Sequence, residues 1–231
     1  MAQFESLGIH EKFEEMAQIC NEIAQMAEKL AAESHMQLGK KYAFPIDIEL
    51  VAKYLGMSII KEKLNPDGAH NLSRKLAIIM STKVSAKAED VRIVVDNTVS
   101  YKTQRFAIAN CIGRYLLKQS RGMYKNTYAI PLIPQNLEEI AADSIALFLL
   151  MPVTLFKEEF LQYLNGCDQH PLDVDDWLEH LSDTCQITPF NLAIGYQQMK
   201  QVLCYQRQAE FAEHDFDITQ MPEDKYSKIF A

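Results

Sequence analysis

The chain has 231 residues, 48% of them hydrophobic and 23% charged, with 23 Lys+Arg against 31 Asp+Glu. That apolar fraction supports one domain, or two small ones, around a true core, and a formal charge of −8 argues against a protein devoted to gripping phosphate backbones. No apolar run reaches the roughly 20 residues of a membrane span; the densest, Ala141 to Pro152, is too short and contains Asp143.

Met1 to His10 lacks the basic stretch and apolar core of a secretory signal. Five cysteines, Cys20, Cys111, Cys167, Cys185 and Cys204, are scattered without a CxxC pair. That pattern fits reduced thiols, so the expectation is a cytoplasmic protein held by no membrane.

Along the chain, Glu11 to Leu38 carries apolar residues at three- and four-residue spacing, which predicts a long helix packed on the domain. His10-Glu11-Lys12-Phe13-Glu14 inside it reads H-E-x-x-E, but no third ligand is implied nearby, and such loose matches are usually solvated face residues. Pro45 suits the first turn of a second helix, with Asp47 and Glu49 near its positive end and Gly56 closing it. Met57 to Glu62 reads as a strand, and Asn65-Pro66-Asp67-Gly68 as a turn. Leu76 to Met80 and Val91 to Val95 are β-branched runs of strand length, with Ser81 to Asp90 as the hairpin loop between them.

Tyr101 to Lys118 returns to helical period. Ser120 to Asn126 is a polar loop, and Pro131 and Pro134 keep the following chain extended. Glu138 to Met151 is a strongly apolar helix closed by Pro152. Three further helices, Phe156 to Leu164, Val174 to Cys185 and Pro189 to Leu203, precede an aperiodic tail from Phe216. The fold class is therefore α+β, a small antiparallel sheet of three strands among six or seven helices.

Two segments carry the chemistry. Arg105-Phe106-Ala107-Ile108-Ala109-Asn110-Cys111-Ile112-Gly113-Arg114-Tyr115-Leu116-Leu117 is followed by Glu139-Ile140-Ala141-Ala142-Asp143-Ser144-Ile145-Ala146-Leu147-Phe148-Leu149-Leu150-Met151-Pro152. Together they resemble the ImmA/IrrE family of zinc metallopeptidases, whose active helix reads R-F-x-x-A-H-E-x-x-H-x-L-L and whose next reads E-x-x-A-[ND]-x-F-A-x-x-L-L-M-P. Phe44 to Gly56 is similar to that family's opening helix, and Ile93-Val94-Val95-Asp96 to the strand before its active helix. The resemblance spans roughly residues 40 to 200. It implies a mostly helical, zincin-like domain over 41–155, preceded by an amphipathic helix over 1–40 and followed by a helical segment over 156–231.

In the family, two histidines one turn apart and a carboxylate from the next helix hold zinc, and the Glu between the histidines activates its water. Here the corresponding positions are Asn110, Cys111 and Arg114, and only the carboxylate, Glu139, is retained. Asparagine is a poor zinc ligand and arginine a permanent cation. The resemblance thus implies a chain with no catalytic residue, no metal ligand and no cofactor. It implies instead that the Arg114 guanidinium takes the zinc position and pairs with Glu139, with Asp143 or Asn110 completing its donors.

A site rebuilt from Cys111, Glu139 and His70 would keep a metallopeptidase, although Arg114 opposes a cation there. As a nucleophile, Cys111 shows no base partner in the sequence, and a small buried residue on a packed helix is the simpler reading. The family acts on helix-turn-helix regulators of mobile elements and stress responses, so the resemblance implies a protein partner of that class, sequestered rather than cleaved. A purely structural partner protein is the alternative. Leu181 to Ala193 has the length of a helix-turn-helix, but Asp173, Asp175, Asp176 and Glu179 load its first helix with negative charge. Packing, not DNA reading, is expected of it.

Overall fold

In the computed structural model, residues 9–65, 75–83, 89–121, 127–131, 137–166 and 174–213 are described. The long N-terminal signal becomes α1 (Ile9–Gln37). Its buried residues Cys20, Ala24, Ala27, Ala31 and Ser34 recur at three- and four-residue steps, forming one small-residue face. Asp47 caps α2 (Ile48–Tyr54), its side chain accepting the Leu50 amide at 3.1 Å. Pro45 therefore stands before the cap and not in the first turn, because a side chain that takes an orphan N–H defines where the helix begins. Gly56, at φ +76, makes the left-handed exit.

The sheet differs from the sequence expectation. Among the described residues it has four strands, β1 (Met57–Glu62), β2 (Lys75–Lys83), β3 (Glu89–Asp96) and β4 (Thr127–Pro131), in the order β1-β3-β2-β4. β2 pairs antiparallel with both β3 and β4, but β1 pairs parallel with β3, so the sheet is mixed rather than three-stranded and antiparallel. The hairpin strands extend beyond their apolar centres, β2 to Lys83 and β3 from Glu89, into the interval read as loop; residues 84–88 lie outside the described residues. β4 escaped the reading because Pro131 and the following Pro134 suggested only extended chain. At the end of an edge strand the donor that Pro131 lacks costs the ladder nothing.

α3 (Tyr101–Arg121) packs over the sheet and α4 (Leu137–Leu150) against α3, followed along the chain by α5 (Val153–Gly166), α6 (Val174–Cys185) and α7 (Pro189–Glu213). α1 packs against α4 and α7. An aromatic cluster joins the last three helices, with Trp177 at 5.2 Å from Phe160 and 6.0 Å from Phe156 between ring centres. α7 runs ten residues past Leu203 because its C-terminal half is also tied down. Gln206 donates to Asn21 at 2.9 Å and accepts from Lys157 at 2.9 Å.

Gln186, at φ 54, turns the chain between α6 and α7, and Thr188 caps α7 through the Asn191 amide. The pair buries Trp177, Leu181, Ile187, Leu192, Tyr196 and Met199 in the core. Among the described residues no single helix is long and apolar enough to cross a membrane. α4 and α5 pass such a test only jointly, and they meet at a 53° bend. The turn beyond Asn65, His70, Cys167 and the tail from Phe216 lie outside the described residues.

Candidate functional site

Asp96, at the end of β3, sets up the approach to α3. Its carboxylate accepts from the Thr98 amide and hydroxyl at 3.1 and 2.8 Å and from Asn65 at 2.6 Å. Asn65 in turn exchanges two hydrogen bonds of 2.8 Å with the backbone of Lys75, clamping the segment after β1 to the start of β2. Burial alone would raise the Asp96 carboxyl, but these bonds, with one from the Leu64 backbone, outweigh it and hold the group below the usual range. Ser100 then begins α3, its hydroxyl accepting the Thr103 amide at 3.2 Å.

Arg105 and Lys102 dock this end of α3 on α6. Arg105 donates to the Cys185 carbonyl at 3.3 Å, a cation at a helix C-terminus. Lys102 reaches Ser182 at 2.9 Å and Asp183 at 2.8 Å. The Arg-Phe start of the motif thus has a structural task here, joining α3 to the C-terminal helices.

Further along, α3 meets α4 at unusual proximity. A Cβ on Gly113 would stand 2.7 Å from the Ala142 carbonyl oxygen, so only glycine allows the two backbones to approach this closely. A glycine inside a helical pattern was the one sequence signal of this contact. The close approach brings together four side chains that the sequence had singled out. Asn110 and Arg114, one turn apart on α3, face Glu139 and Asp143, one turn apart on α4.

The four form a chain of polar contacts. Arg114 Nε donates to Asn110 Oδ1 at 2.9 Å, and the Asn110 amide donates to Asp143 Oδ1. Arg114 Nη2 lies 3.8 Å from Glu139 Oε1. Asn110, Arg114 and Glu139 are buried, with exposures of 1, 5 and 5%. Burial pushes the Asp143 carboxyl up to about 6; the Asn110 bond and the Arg114 charge pull it down, and Glu139 adds to the rise.

Cys111 is buried among apolar neighbours, and desolvation pushes its thiol up to about 12 against the smaller pull of Arg114. A thiol so protonated is neither a ready ligand nor a nucleophile. Zinc does not fit this donor set. One neutral amide and a guanidinium stand where two imidazoles are needed, and a cation in the same space repels the ion. No group of three or more His, Cys, Asp or Glu among the described residues is placed to hold a metal.

A shallow depression lined by Asp47, Glu49, Leu50, Lys53, Met57 and Ile59 lies elsewhere, between α2 and β1. No family model matches the chain, nor does any curated protein or any solved structure.

Proposed function

We propose that the chain is a metal-free pseudo-peptidase of the ImmA/IrrE type that acts by binding a protein. The observation that carries this reading is the Arg114 guanidinium beside Glu139, braced by Asn110, on the α3 face where the motif would put its histidines. A scaffold that keeps the helix pair but fills the reaction centre with a buried, mutually bonded cluster can recognise a partner but cannot activate water. The partner class, a helix-turn-helix regulator of a mobile element or stress response, follows from the motif resemblance. Binding without cleavage would sequester that regulator. The buried free thiols Cys20, Cys111 and Cys185 fit a reducing, cytoplasmic setting.

The test compares the unmodified chain with the triple variant Asn110→His, Cys111→Glu, Arg114→His. The unmodified chain is expected to retain no stoichiometric zinc after dialysis and to leave candidate regulators intact while co-purifying with one. Chelator-sensitive cleavage by the unmodified chain would overturn the reading.

A further inference from the structure

We propose that the outward face of α7 receives the same face of a second copy of the chain. Exposed residues on this helix follow the spacing of a coiled-coil seam: Phe190, Ile194, Gln197, Gln201 and Cys204 recur at alternating steps of four and three. They lie opposite the core face carried by Leu192, Tyr196, Met199 and Val202. Phe190 is 68% exposed and Ile194 41%, two apolar groups one turn apart and turned to water. Every exposed residue in 189–204 is uncharged. The neighbouring α6 shows the ordinary solvated face of a helix in this chain, with Asp175, Asp176, Glu179 and Asp183 all exposed. A surface helix presents such charges to water, whereas α7 presents a stripe that water solvates poorly.

Charge and polarity select the occupant. Duplex DNA, which the turn between α6 and α7 would otherwise suggest, needs cations on this face. Its exposed residues supply none, and Lys200, at the margin, is half-buried. A partner helix with a charged face would have those charges desolvated against neutral groups. A second copy fits on two counts. Each chain carries −8, so copies repel where their charged faces meet, and an uncharged face escapes that cost. A two-fold contact also sets a surface against itself, and this one is its own complement. Its apolar side chains bury one another, and the Gln197 amide both donates and accepts, so it pairs with its own kind. Gln201 is partly committed, its Oε1 accepting from the Cys20 thiol at 3.8 Å. None of these residues belongs to the Arg114 cluster, so the surface stands independently of the pseudo-peptidase reading.

Sedimentation equilibrium of the full chain tests this over about 5–500 µM, the range expected for one helix seam, which is smaller than a standard interface. The mass should rise from one chain to two and stop there, since a two-fold contact closes. Phe190→Glu and Ile194→Glu, both exposed substitutions, should each weaken the dimer at least about tenfold by setting a carboxylate in the seam, with the urea midpoint little changed. Gln197→Leu should tighten it about tenfold by adding an apolar layer. A chain that stays monomeric throughout, a dimer indifferent to all three substitutions, or growth beyond the dimer would each overturn the proposal. So would amide resonances of Phe190 and Ile194 that dilution leaves in place and only an added regulator shifts, which would assign the face to that partner.

Discussion

Arg114 Nη2 and Glu139 Oε1 stand 3.8 Å apart with their side chains 5 and 6% exposed, an ion pair held at the outer limit of contact inside the α3–α4 interface. At that distance the attraction is Coulombic rather than a hydrogen bond. Its burial makes the consequences of breaking it asymmetric. Removing one partner strands a desolvated charge, at a cost of about 3–5 kcal/mol, whereas removing both is often neutral. Arg114→Ala should therefore lower the urea midpoint strongly, and Arg114→Ala in a Glu139→Gln background should add far less. Equal losses in the two backgrounds would mean that the pair contributes nothing.

The close helix approach predicts a second effect. Gly113→Ala places a methyl group 2.7 Å from the Ala142 carbonyl and 3.2 Å from the Ile145 Cβ, both in a buried interface. Alanine gains helix propensity of about 1 kcal/mol over glycine, but relieving the clash requires the helices to separate, an overpacking cost of about 1–3 kcal/mol or more. The net change should be a loss of stability, read as a lower midpoint with unchanged slope. A stabilised variant would contradict the close approach.

Thiol chemistry supplies a third. Cys204 is exposed, whereas Cys20, Cys111 and Cys185 are buried. Desolvation raises all three buried thiols, Cys111 to about 12. Iodoacetamide at neutral pH under native conditions should alkylate Cys204 well before Cys111, by peptide mapping. Rapid modification of Cys111 would signal a nucleophile that the structure does not support.

How far these features could be read from the sequence depended on their range. α6 was legible because an amphipathic segment sits between clear breakers; the facing of Arg114 by Glu139 was expected only from the motif resemblance, since helical spacing fixes which side chains share the face of one helix and not which helix lies opposite. The sheet's mixed character was not, since whether β1 lies beside β2 or beyond β3 is decided by tertiary packing. The Asp96–Asn65 bond joins residues 31 positions apart and has no local signature at all. Asn110 was anticipated only as an optional partner for the Arg114 donors. Its role as the link between Arg114 and Asp143 depends on how closely Gly113 lets α4 approach.

That link gives the final prediction, a pH dependence whose sign follows from Asp143. Its carboxyl is raised by burial to about 6 in the folded chain, against about 4 in an unfolded one. Between those values the folded state holds the extra proton, so stability falls as pH rises through that window, with the full penalty present above about pH 6. Asp143→Asn keeps the shape and an acceptor oxygen but cannot ionise. It should flatten the decline in unfolding free energy between about pH 4 and 6 that the unmodified chain shows. Asp96 supplies an opposing contribution, because its lowered carboxyl stabilises the fold above about pH 4 and loses that effect as pH falls further. The two are separable by variant: Asp96→Asn should weaken the fold at neutral pH by about 1–3 kcal/mol and leave the pH 4 to 6 slope in place. Urea titrations at half-unit pH steps on both variants measure this. If the slope persists unchanged in Asp143→Asn, the buried carboxyl is not its source.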